Sequence, residues 1–571
     1  MPSGPVSRNS EILAKWRSTL NNGVIKSPCT PIDVPTETPV ARILRSLKHH
    51  ASVRPDHPAV VLSISPSPLQ HPFQIEALDH SLASFLVSRG FQVGDRATAM
   101  LPNSIEWPVF HLAVWAAGGV VVGSSAAFKL YETVYQLEDS QSSLILTTEE
   151  LLPIVAEAAK LCPFVKTVIC VRTTAAQLPD GVVDFDDMLK FPRLAKVVPV
   201  SLDAECLILY SSGTTGKPKG VIHTHRTFHC CIEMPLRHWQ REVYPVLSDE
   251  TLDWYKEHQV ITSACYHILG FVLLNWFLVT GSPAVLMKAF NGDLYIEIIH
   301  KFKPRWVIVT PPIFAFLAKD QAGIKAALSS LQMIMCGTAP LSQEVSDEFR
   351  VRHPNVKYIV QAYGMTEVGF SHVPLLIDEG SNASVGFSGA YYEQKLVNPE
   401  TSLPCKHGER GEVCVRGPSQ TIGYVNKPEE TKNLMDEEGW IHTGDIGYID
   451  ERGYLYVVDR LKELIKVNFM NQTLQVPPAE LEGILLANTK IRDAAIVGVP
   501  DVVKGELVRA YVVKENEELT AVEVESLVAD VIVSSDKLAE FKRITGGVVF
   551  VKEIPRSGAG KILRRVLRDV N

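Results

Sequence analysis

The sequence lacks the surplus of basic residues that is typical of nucleic-acid-binding proteins. Its 571 residues include 56 Lys and Arg against 64 Asp and Glu, which gives a formal net charge of −8. Non-specific binding to nucleic acid depends on positive charge, so this balance argues against a nucleic-acid partner. The charge favours small molecules as partners.

Paired cysteines and targeting segments are also missing. The ten cysteines include no CxxC pair, and several, such as Cys206, Cys265 and Cys336, lie in apolar runs that are typical of buried, reduced thiols. The N-terminus has no apolar signal core, and the last residues are not Ser-Lys-Leu. We therefore expect a cytoplasmic protein in a reducing compartment.

One segment, residues 268–287, is apolar enough to suggest a membrane span. Asn275, Gly281, Ser282 and Pro283 interrupt it, whereas a span needs about 20 consecutive apolar residues. The segment therefore predicts a buried helix followed by a turn and a strand. We expect no membrane span, and peripheral contact with a membrane surface stays open.

The length of the chain exceeds what one hydrophobic core usually supports, so two or more domains are expected. From about residue 40 to 460, strand-like runs such as 97–101, 143–147, 206–210 and 306–310 alternate with amphipathic helical segments. This alternation is typical of α/β layers with parallel sheets. We predict two such α/β subdomains.

The pattern changes twice towards the C-terminus. Short strands with Gly-rich turns at 409–416 and 453–458 predict a small β-barrel or sheet that completes the large domain. A different α+β unit follows, so we place the domains at 1–459 and 460–571. Its predicted elements are a helix at 479–486, strands at 494–499 and 509–513, and a helix at 522–533.

The most informative motif follows the strand-like run 206–210. It combines glycines, hydroxyls and lysines in the order Ser211, Ser212, Gly213, Thr214, Thr215, Gly216, Lys217. Glycine lets the backbone approach an anion, while N–H groups, hydroxyls and lysine contact phosphate oxygens. Because Pro218 follows Lys217 in place of Ser or Thr, the loop is not that of a P-loop NTPase.

A second motif, residues 361–367, contains Tyr363, Gly364, Thr366 and Glu367. The tyrosine offers a flat face to a purine, and the glycine allows close approach of a ligand. The threonine hydroxyl can donate to a phosphate oxygen, and the glutamate offers a hard oxygen ligand that suits Mg²⁺. Taken alone, the tyrosine would more often be a core residue and the glutamate a solvated charge.

Two further motifs lie nearer the C-terminus. Asp445 ends the run 440–445, and Arg460 ends the run 457–460; a carboxylate can accept both hydroxyls of a ribose, and an arginine beside it balances the charge. In 554–565, glycines surround Lys561. Those glycines predict a mobile loop that carries one lysine.

Together these motifs resemble those of the adenylate-forming superfamily of acyl-CoA synthetases, coumarate-CoA ligases, peptide-synthetase adenylation domains and beetle luciferases. The resemblance extends from about Leu82 to Arg565. It implies a mobile C-terminal domain and a reaction in which a fatty or aryl carboxylic acid reacts with ATP and Mg²⁺ to give an acyl-adenylate. Coenzyme A then takes the acyl group.

The resemblance also assigns roles. The loop 211–217 would hold the phosphates of ATP, Asp445 and Arg460 the ribose, and Glu367 the Mg²⁺. The adenine would lie against the turn Gly337, Thr338, Ala339, and against Tyr363 and Gly364, with Thr366 at the α-phosphate. Lys561 would be the adenylation lysine, which positions two anions and stabilises the charge at phosphorus.

The remaining roles concern the acid and the second step. His267 matches a histidine at the mouth of the acyl pocket, although a lone histidine in an apolar run also suits a core. Lys462 matches the residue about which the small domain pivots. Lys466 and Thr473 belong to the segment that reaches the active site for the CoA step.

That segment departs from the family pattern. The segment 467–474 is longer than the corresponding segment of the family and contains no glycine. A side chain there, such as Thr473, would narrow the tunnel for pantetheine, because glycine is used where backbone and ligand come close. The alternative is an insertion that bulges into solvent. The departure keeps three other functions open: an acyl-AMP ligase with another acceptor, a luciferase-like enzyme, and a non-catalytic nucleotide-binding protein.

Overall fold

The computed structural model describes residues 23–29, 31, 33–62, 72–211, 218–247, 253–318, 323–341, 343–374, 376, 383–406, 408–469, 472–501, 503–515, 517–534, 540–557 and 560–568. Within these residues the chain forms a large α/β unit followed by a smaller α+β unit. The predicted fold class is confirmed.

The first α/β layer is built on sheet A, whose central strands run parallel. These strands are buried runs of Val, Ile and Leu, as expected where helices cover both faces. The strands predicted at 97–101, 143–147 and 206–210 are confirmed. Across the sheet the order is Gly423–Tyr424, Lys219–Thr224, Glu205–Ser211, Val120–Ser124, Arg96–Met100, Leu144–Thr148, Thr167–Val171, Val182–Asp184.

The second α/β layer contains two short parallel sheets, B and C. The strands of sheet B are Gln259–Ile261, Ala284–Leu286 and Val60–Leu62, and those of sheet C are Trp306–Val309, Met333–Cys336 and Tyr358–Gln361. Sheet C includes the strand predicted at 306–310. Because parallel strands end at the same edge, the turn after Met333–Cys336 and the motif after Tyr358–Gln361 emerge side by side.

The apolar segment 268–287 forms the predicted helix, turn and strand. The helix Ile268–Thr280 is buried, and Gly281 ends it in the left-handed region with φ 79°. The strand Ala284–Leu286 follows in sheet B. Within the described part of the chain, no helix is long and apolar enough to cross a membrane.

Two antiparallel sheets complete the large unit. Sheet D contains Tyr363–Met365, Gly369–Val373 and Phe387–Ser388; sheet E contains Ile25–Lys26, Glu393–Val397, Gly411–Arg416, Ile441–Ile449 and Leu455–Arg460. Backbone bonds between Leu455 and the segment Val385–Gly386 join them. Continuous strand pairing around a closed barrel is not found among the described residues, so the predicted β-barrel is observed as two joined sheets.

The smaller unit is built on sheet F. It orders Gln472–Val476, Ile465–Phe469, Gly505–Lys514 and Ile491–Asp501, with Val548–Phe550 beside Gly505–Lys514. The helices Pro478–Leu486 and Ala521–Ser534 pack against it. All four elements predicted for this unit are confirmed. The last strand of sheet E ends at Arg460, and the boundary at 459/460 stays a prediction.

The other helices cover these sheets. Their bounds are Pro39–Val53, Pro72–Ser88, Glu106–Ala116, Leu130–Ser140, Leu152–Leu161, Phe185–Met188, His225–His238, Tyr244–Leu247, Gly292–Phe302, Pro311–Ala318, Ile324–Ala327, Gln343–Arg352, Pro428–Leu434 and Arg564–Arg568. A π-helical turn, Trp239–Val243, and short 3₁₀ turns at Trp254–Lys256, Leu328–Ser330 and Glu540–Lys542 complete the set.

The ten cysteines are free thiols. Nine are buried and Cys405 is half-buried. Burial raises the pKa of thiols such as Cys206, Cys265 and Cys336. This agrees with the expectation of buried, reduced thiols.

Candidate active site

A cleft of about 970 Å³ lies between the large unit and the C-terminal unit. The residues predicted to form the site and found in its lining are His267, Thr338, Ala339, Tyr363, Gly364, Asp445, Arg460, Lys462 and Lys561. The structure therefore brings together residues that are separated by up to three hundred positions in the sequence. Gly337, Thr366, Glu367 and Lys466 lie outside this lining.

Asp445 and Arg460 face each other on neighbouring strands of sheet E. Arg460 Nε lies 3.3 Å from Asp445 Oδ1, and the Tyr363 hydroxyl donates to Asp445 Oδ2 at 2.6 Å. Burial, together with the charge of Asp445, raises the pKa of Tyr363, so the phenol keeps its proton. The three side chains thus form one connected polar group at the cleft.

The turn that carries Tyr363 and Glu367 has little freedom. A Cβ on Gly364 would lie 1.9 Å from the carbonyl oxygen of Gly369, so only glycine fits there. Glu367 is buried, and its Oε1 accepts a hydrogen bond of 2.8 Å from the Tyr424 hydroxyl. His223 Nε2 lies 2.8 Å from the carbonyl oxygen of Thr366.

The Glu367 carboxylate is a suitable donor for a magnesium ion. One oxygen is held by Tyr424, and a hard carboxylate oxygen combined with phosphate oxygens and water is the ligand set that Mg²⁺ prefers. Burial, and next the charge of Glu367, raises the pKa of Tyr424, which keeps that phenol a donor. The Glu367 carboxylate, held in place by Tyr424, therefore fits the role of a Mg²⁺ ligand.

The turn Gly337–Ala339 follows a strand of sheet C. Thr338 has φ 77°, and its Oγ1 is buried without a hydrogen-bond partner among the described residues. The backbone N–H of Leu341 donates to Gln361 Oε1 at 2.9 Å, which ties this turn to the motif 361–367. An unpartnered hydroxyl at the cleft is a group that a bound polar ligand would satisfy.

Lys561 lies within the cleft. Burial, and next the charge of Arg460, lowers its pKa to about 8, while Asp445 and Glu367 act in the opposite direction. Its loop is closed by a hydrogen bond of 2.8 Å from Ser557 N to Lys561 O. The ammonium group therefore shares one electrostatic environment with the three residues that the motifs singled out.

His267 precedes the helix Ile268–Thr280 and lines the same cleft. Burial, with a smaller effect of Lys561, lowers its pKa to about 4, so the imidazole is neutral near pH 7. Its Nε2 is buried without a hydrogen-bond partner in the described structure. This favours a residue that faces a ligand over a satisfied core histidine.

The phosphate-binding motif is described only at its ends. Ser211 ends a strand of sheet A and pairs with Lys219, whereas Ser212, Gly213, Thr214, Thr215, Gly216 and Lys217 lie outside the described residues. The Tyr135 hydroxyl donates to the Pro218 carbonyl oxygen at 2.9 Å. Lys219 Nζ lies 4.9 Å from the centre of the Tyr424 ring, which links this strand to Glu367.

Lys466 and Thr473 lie on a β-hairpin of sheet F. The strands Ile465–Phe469 and Gln472–Val476 pair Asn468 with Thr473. Lys466, with Lys462, lines a second cavity of about 890 Å³. The described residues of the segment 467–474 thus lie on two paired antiparallel strands, and neither Val467 nor Leu474 lines the cleft.

Ion pairs that no sequence motif indicated hold the Lys561 loop. Arg564 Nη2 lies 2.8 and 3.0 Å from the two carboxylate oxygens of Glu482. Arg556 Nη2 lies 2.7 Å from Asp493 Oδ1, and its Nη1 donates to Gly560 O at 3.0 Å. The signal in the sequence was weak, since the helix Pro478–Leu486 contains two acidic residues, Glu480 and Glu482, among apolar ones.

Comparison with known protein families decides the classification. The family model for AMP-binding enzymes matches residues 47–425, and the model for the AMP-binding enzyme C-terminal domain matches residues 480–561. The chain belongs to the AMP-binding enzymes. The motifs at 211–217, 337–339 and 361–367 lie within the first matched range, and Lys561 ends the second.

Relatives of this AMP-binding enzyme include CoA ligases. It is 34% identical to 4-coumarate–CoA ligase 1 of Petroselinum crispum over 519 residues, which cover 87% of this chain and 88% of the relative. It is also 34% identical to peroxisomal OPC-8:0-CoA ligase 1 of Arabidopsis thaliana over 498 residues, with coverages of 85% and 86%.

Solved structures share the fold of this AMP-binding enzyme. ATP-bound MatB from Rhodopseudomonas palustris superposes with a TM-score of 0.77 at 24% identity, covering 92% of this chain and 99% of that one. A benzoate CoA ligase from Burkholderia xenovorans LB400 gives a TM-score of 0.78 at 21% identity, with coverages of 93% and 100%.

Proposed function

We propose that this protein is an ATP-dependent ligase that joins a fatty or aryl carboxylic acid to coenzyme A through an acyl-adenylate. The observation that carries the proposal is the position of Lys561 in the cleft, where the charges of Arg460, Asp445 and Glu367 act on it. These are the groups needed to hold a nucleotide and to balance the charge of a phosphorus centre under attack. Relatives named as CoA ligases support the same reaction.

In the first half-reaction an oxygen of the substrate carboxylate attacks the α-phosphorus of ATP, the bond to the β-phosphate breaks, and pyrophosphate leaves. A carboxylate is already a nucleophile and needs no base, so the barrier lies in bringing two anions together. Lys561 would bridge the carboxylate and the α-phosphate as a flexible ammonium group. Asp445 and Arg460 would hold the ribose.

The other nucleotide contacts would come from the motifs already described. The loop 211–217 would bind the β- and γ-phosphates, and Thr366 the α-phosphate. Adenine would lie between the face of Tyr363 and the turn Gly337, Thr338, Ala339, with Gly364 allowing the approach. Mg²⁺, held by Glu367, would supply charge neutralisation at the phosphates.

In the second half-reaction the CoA sulfur attacks the acyl carbon, the bond to AMP breaks, and AMP leaves while the thiol loses its proton. Lys561 and Lys466 border different cavities, and Lys462 borders both. Rotation of the small domain about Lys462 would replace the face that carries Lys561 with the face that carries Lys466 at the active site. The neutral His267 would stand at the acyl pocket, where it adds no charge beside an apolar acid.

The proposal is tested by exchange of labelled pyrophosphate into ATP. Exchange that depends on an added carboxylic acid is expected, since the first step is reversible in the absence of CoA. A screen of acids of different chain length and aromatic character, scored for AMP release with and without CoA, then identifies the acid and the acceptor. No exchange with any acid would leave a nucleotide-binding protein without turnover.

The pH dependence of the first step should report on Lys561. Only its ammonium form bridges two anions, and that form is present below its pKa of about 8 and lost above it. The kcat/KM for ATP should therefore fall as pH rises through about 8, since this ratio reports the pKa of the free enzyme. The Lys561→Arg variant, which stays charged, should show no such fall. A wild-type profile that stays flat to pH 10 would contradict this assignment.

Shortening the hairpin should leave the CoA step unchanged. The described residues Val467 and Leu474 line neither the cleft nor the second cavity, and the N–H of Asn468 donates to Lys504 O at 2.7 Å. We expect equal single-turnover rates of CoA acylation from bound acyl-adenylate for the native chain and for a variant that lacks residues 469–472 and carries Thr473→Gly. A faster second step in the variant would show that the hairpin narrows the path of pantetheine.

A further inference from the structure

Asp445 lies in a bulge of sheet E. Cys414 pairs with His442 and Glu412 pairs with Ile446, so the strand Ile441–Ile449 contains extra residues between these two pairs. Gly444 takes φ 71° within the bulge. A bulge bends its strand and redirects a side chain. Here it turns Asp445 towards Arg460 and Tyr363.

Glu412 holds both sides of that bulge. Its Oε1 accepts a hydrogen bond of 3.0 Å from the backbone N–H of Gly444, and its Oε2 lies 2.9 Å from His442 Nδ1. The neighbouring Thr443 hydroxyl donates to the carbonyl oxygen of Val413 at 2.7 Å. One carboxylate therefore bridges the residues on either side of Thr443.

Glu412, His442, Asp436 and Lys395 form a chain of charged side chains. Hydrogen bonds with Cys414 and Glu412 raise the pKa of His442 to about 10, and its Nε2 faces Asp436 Oδ2 at 3.6 Å. Lys395 Nζ lies 3.8 Å from the same Asp436 oxygen. Burial raises the pKa of Cys414, so its sulfur stays a thiol.

The same cluster could be read as a metal site. Glu412, Cys414 and His442 bring three possible ligand atoms within 4.8 Å of one another. However, both oxygens of Glu412 are already bonded, one to the Gly444 N–H and the other to His442 Nδ1. The cluster is better explained as an ion pair that fixes the backbone.

We propose that Glu412 is a positioning residue for nucleotide binding, because it fixes the bulge that aims Asp445 at the ribose. The inference rests on the proposed function, in which Asp445 binds ATP. Glu412 does not line the cleft, so it acts on the nucleotide only through the bulge. The group that would be mispositioned is the Asp445 carboxylate.

The first test compares two glutamates of the same sheet. Glu393 pairs with Arg416 at 2.9 Å and has no bond to the bulge, so Glu393→Ala is the matched control. Glu412→Ala should raise the apparent KM for ATP about tenfold, the loss expected when a charged hydrogen bond is misaligned, and should reduce discrimination between ATP and 2′-deoxy-ATP. Glu412→Gln, which keeps an acceptor for Gly444, should show a smaller change. Equal KM values and equal discrimination in Glu412→Ala and Glu393→Ala would overturn the proposal.

A double-mutant cycle separates positioning from general destabilisation. In an Asp445→Asn background, Glu412→Ala should raise the KM for ATP no further, since the carboxylate that it positions has been replaced. A second, additive increase would mean that Glu412 acts by another route. That result would also overturn the proposal.

The last test needs no nucleotide. In the protein without ligands, amide hydrogen exchange of residues 441–447 should be faster in Glu412→Ala than in wild type and Glu393→Ala, because the Gly444 N–H loses its acceptor. Unchanged exchange would overturn the positioning role. A wild-type protein that binds no ATP would instead contradict the proposed function, whatever the exchange shows.

Discussion

Replacing Lys561 with alanine should slow formation of the acyl-adenylate by about 10²–10³-fold, the typical effect of removing one donor to a transition state. ATP binding should change little, because adenine and ribose are assigned to residues of the large unit. Single-turnover formation of acyl-adenylate, measured beside nucleotide affinity, checks both parts. Lys552→Ala is the matched control, since Lys552 is an exposed lysine at the rim of the same cleft.

The same variant tests whether the role is confined to one step. Supplied with preformed acyl-adenylate, Lys561→Ala should acylate CoA at the rate of the wild type, because the second step is assigned to the other face of the small domain. Near-normal adenylation in the variant would remove Lys561 from the mechanism. Equal losses in both steps would point to a misplaced domain instead.

Replacing Asp445 with asparagine should raise the apparent KM for ATP by about 10- to 100-fold, since a hydrogen bond to a charged group contributes about 1.5–3 kcal/mol. Asparagine keeps the shape and one acceptor for the Tyr363 hydroxyl but loses the charge opposite Arg460. The kcat at saturating ATP should change less, because the ribose contact is made in both the ground state and the transition state.

Steady-state kinetics with ATP as the varied substrate measures the effect of Asp445→Asn. Asp450→Asn is a suitable control because it removes a carboxylate from the turn after the same strand, where Asp450 pairs with Arg452 at 3.0 Å. Thermal unfolding without nucleotide shows how much the pairing with Arg460 contributes to the fold. If the KM for ATP of Asp445→Asn equals that of Asp450→Asn, Asp445 has a structural role and does not bind the ribose.

Much of the fold could be predicted because its signals are local. Apolar runs such as 206–210 and 306–310 are strands in the structure, and the breaks at Gly281 and Pro283 correctly marked the end of a buried helix. The sequence pattern at 467–474 did not predict the hairpin that contains Thr473. Thr473 pairs with Asn468, and Val467 pairs with Gly505 of a neighbouring strand in sheet F. The second pairing joins residues that are far apart in the sequence, so no local pattern in the segment predicts it.

The candidate site was predictable for the same reason, but its support was not. Asp445, Arg460 and Lys561 lie in short motifs, whereas Glu482 pairs with Arg564, which is 82 positions away in the sequence. The hydrogen bond from the Gly444 N–H to Glu412 likewise joins residues that are 32 positions apart, and no sequence motif predicts it. The residues proposed to carry the chemistry could be identified from the sequence, whereas the residues that hold them in place could be identified only from the tertiary structure.

The burial of the cysteines has a consequence for a protein proposed to handle a thiol substrate. Exchange with a disulfide requires an accessible thiolate. Here nine sulfurs are buried, and burial raises the pKa of thiols such as Cys206 and Cys336. The disulfide form of coenzyme A would therefore not react with the buried thiols. Mixed disulfides with coenzyme A would not accumulate at these cysteines during oxidative stress.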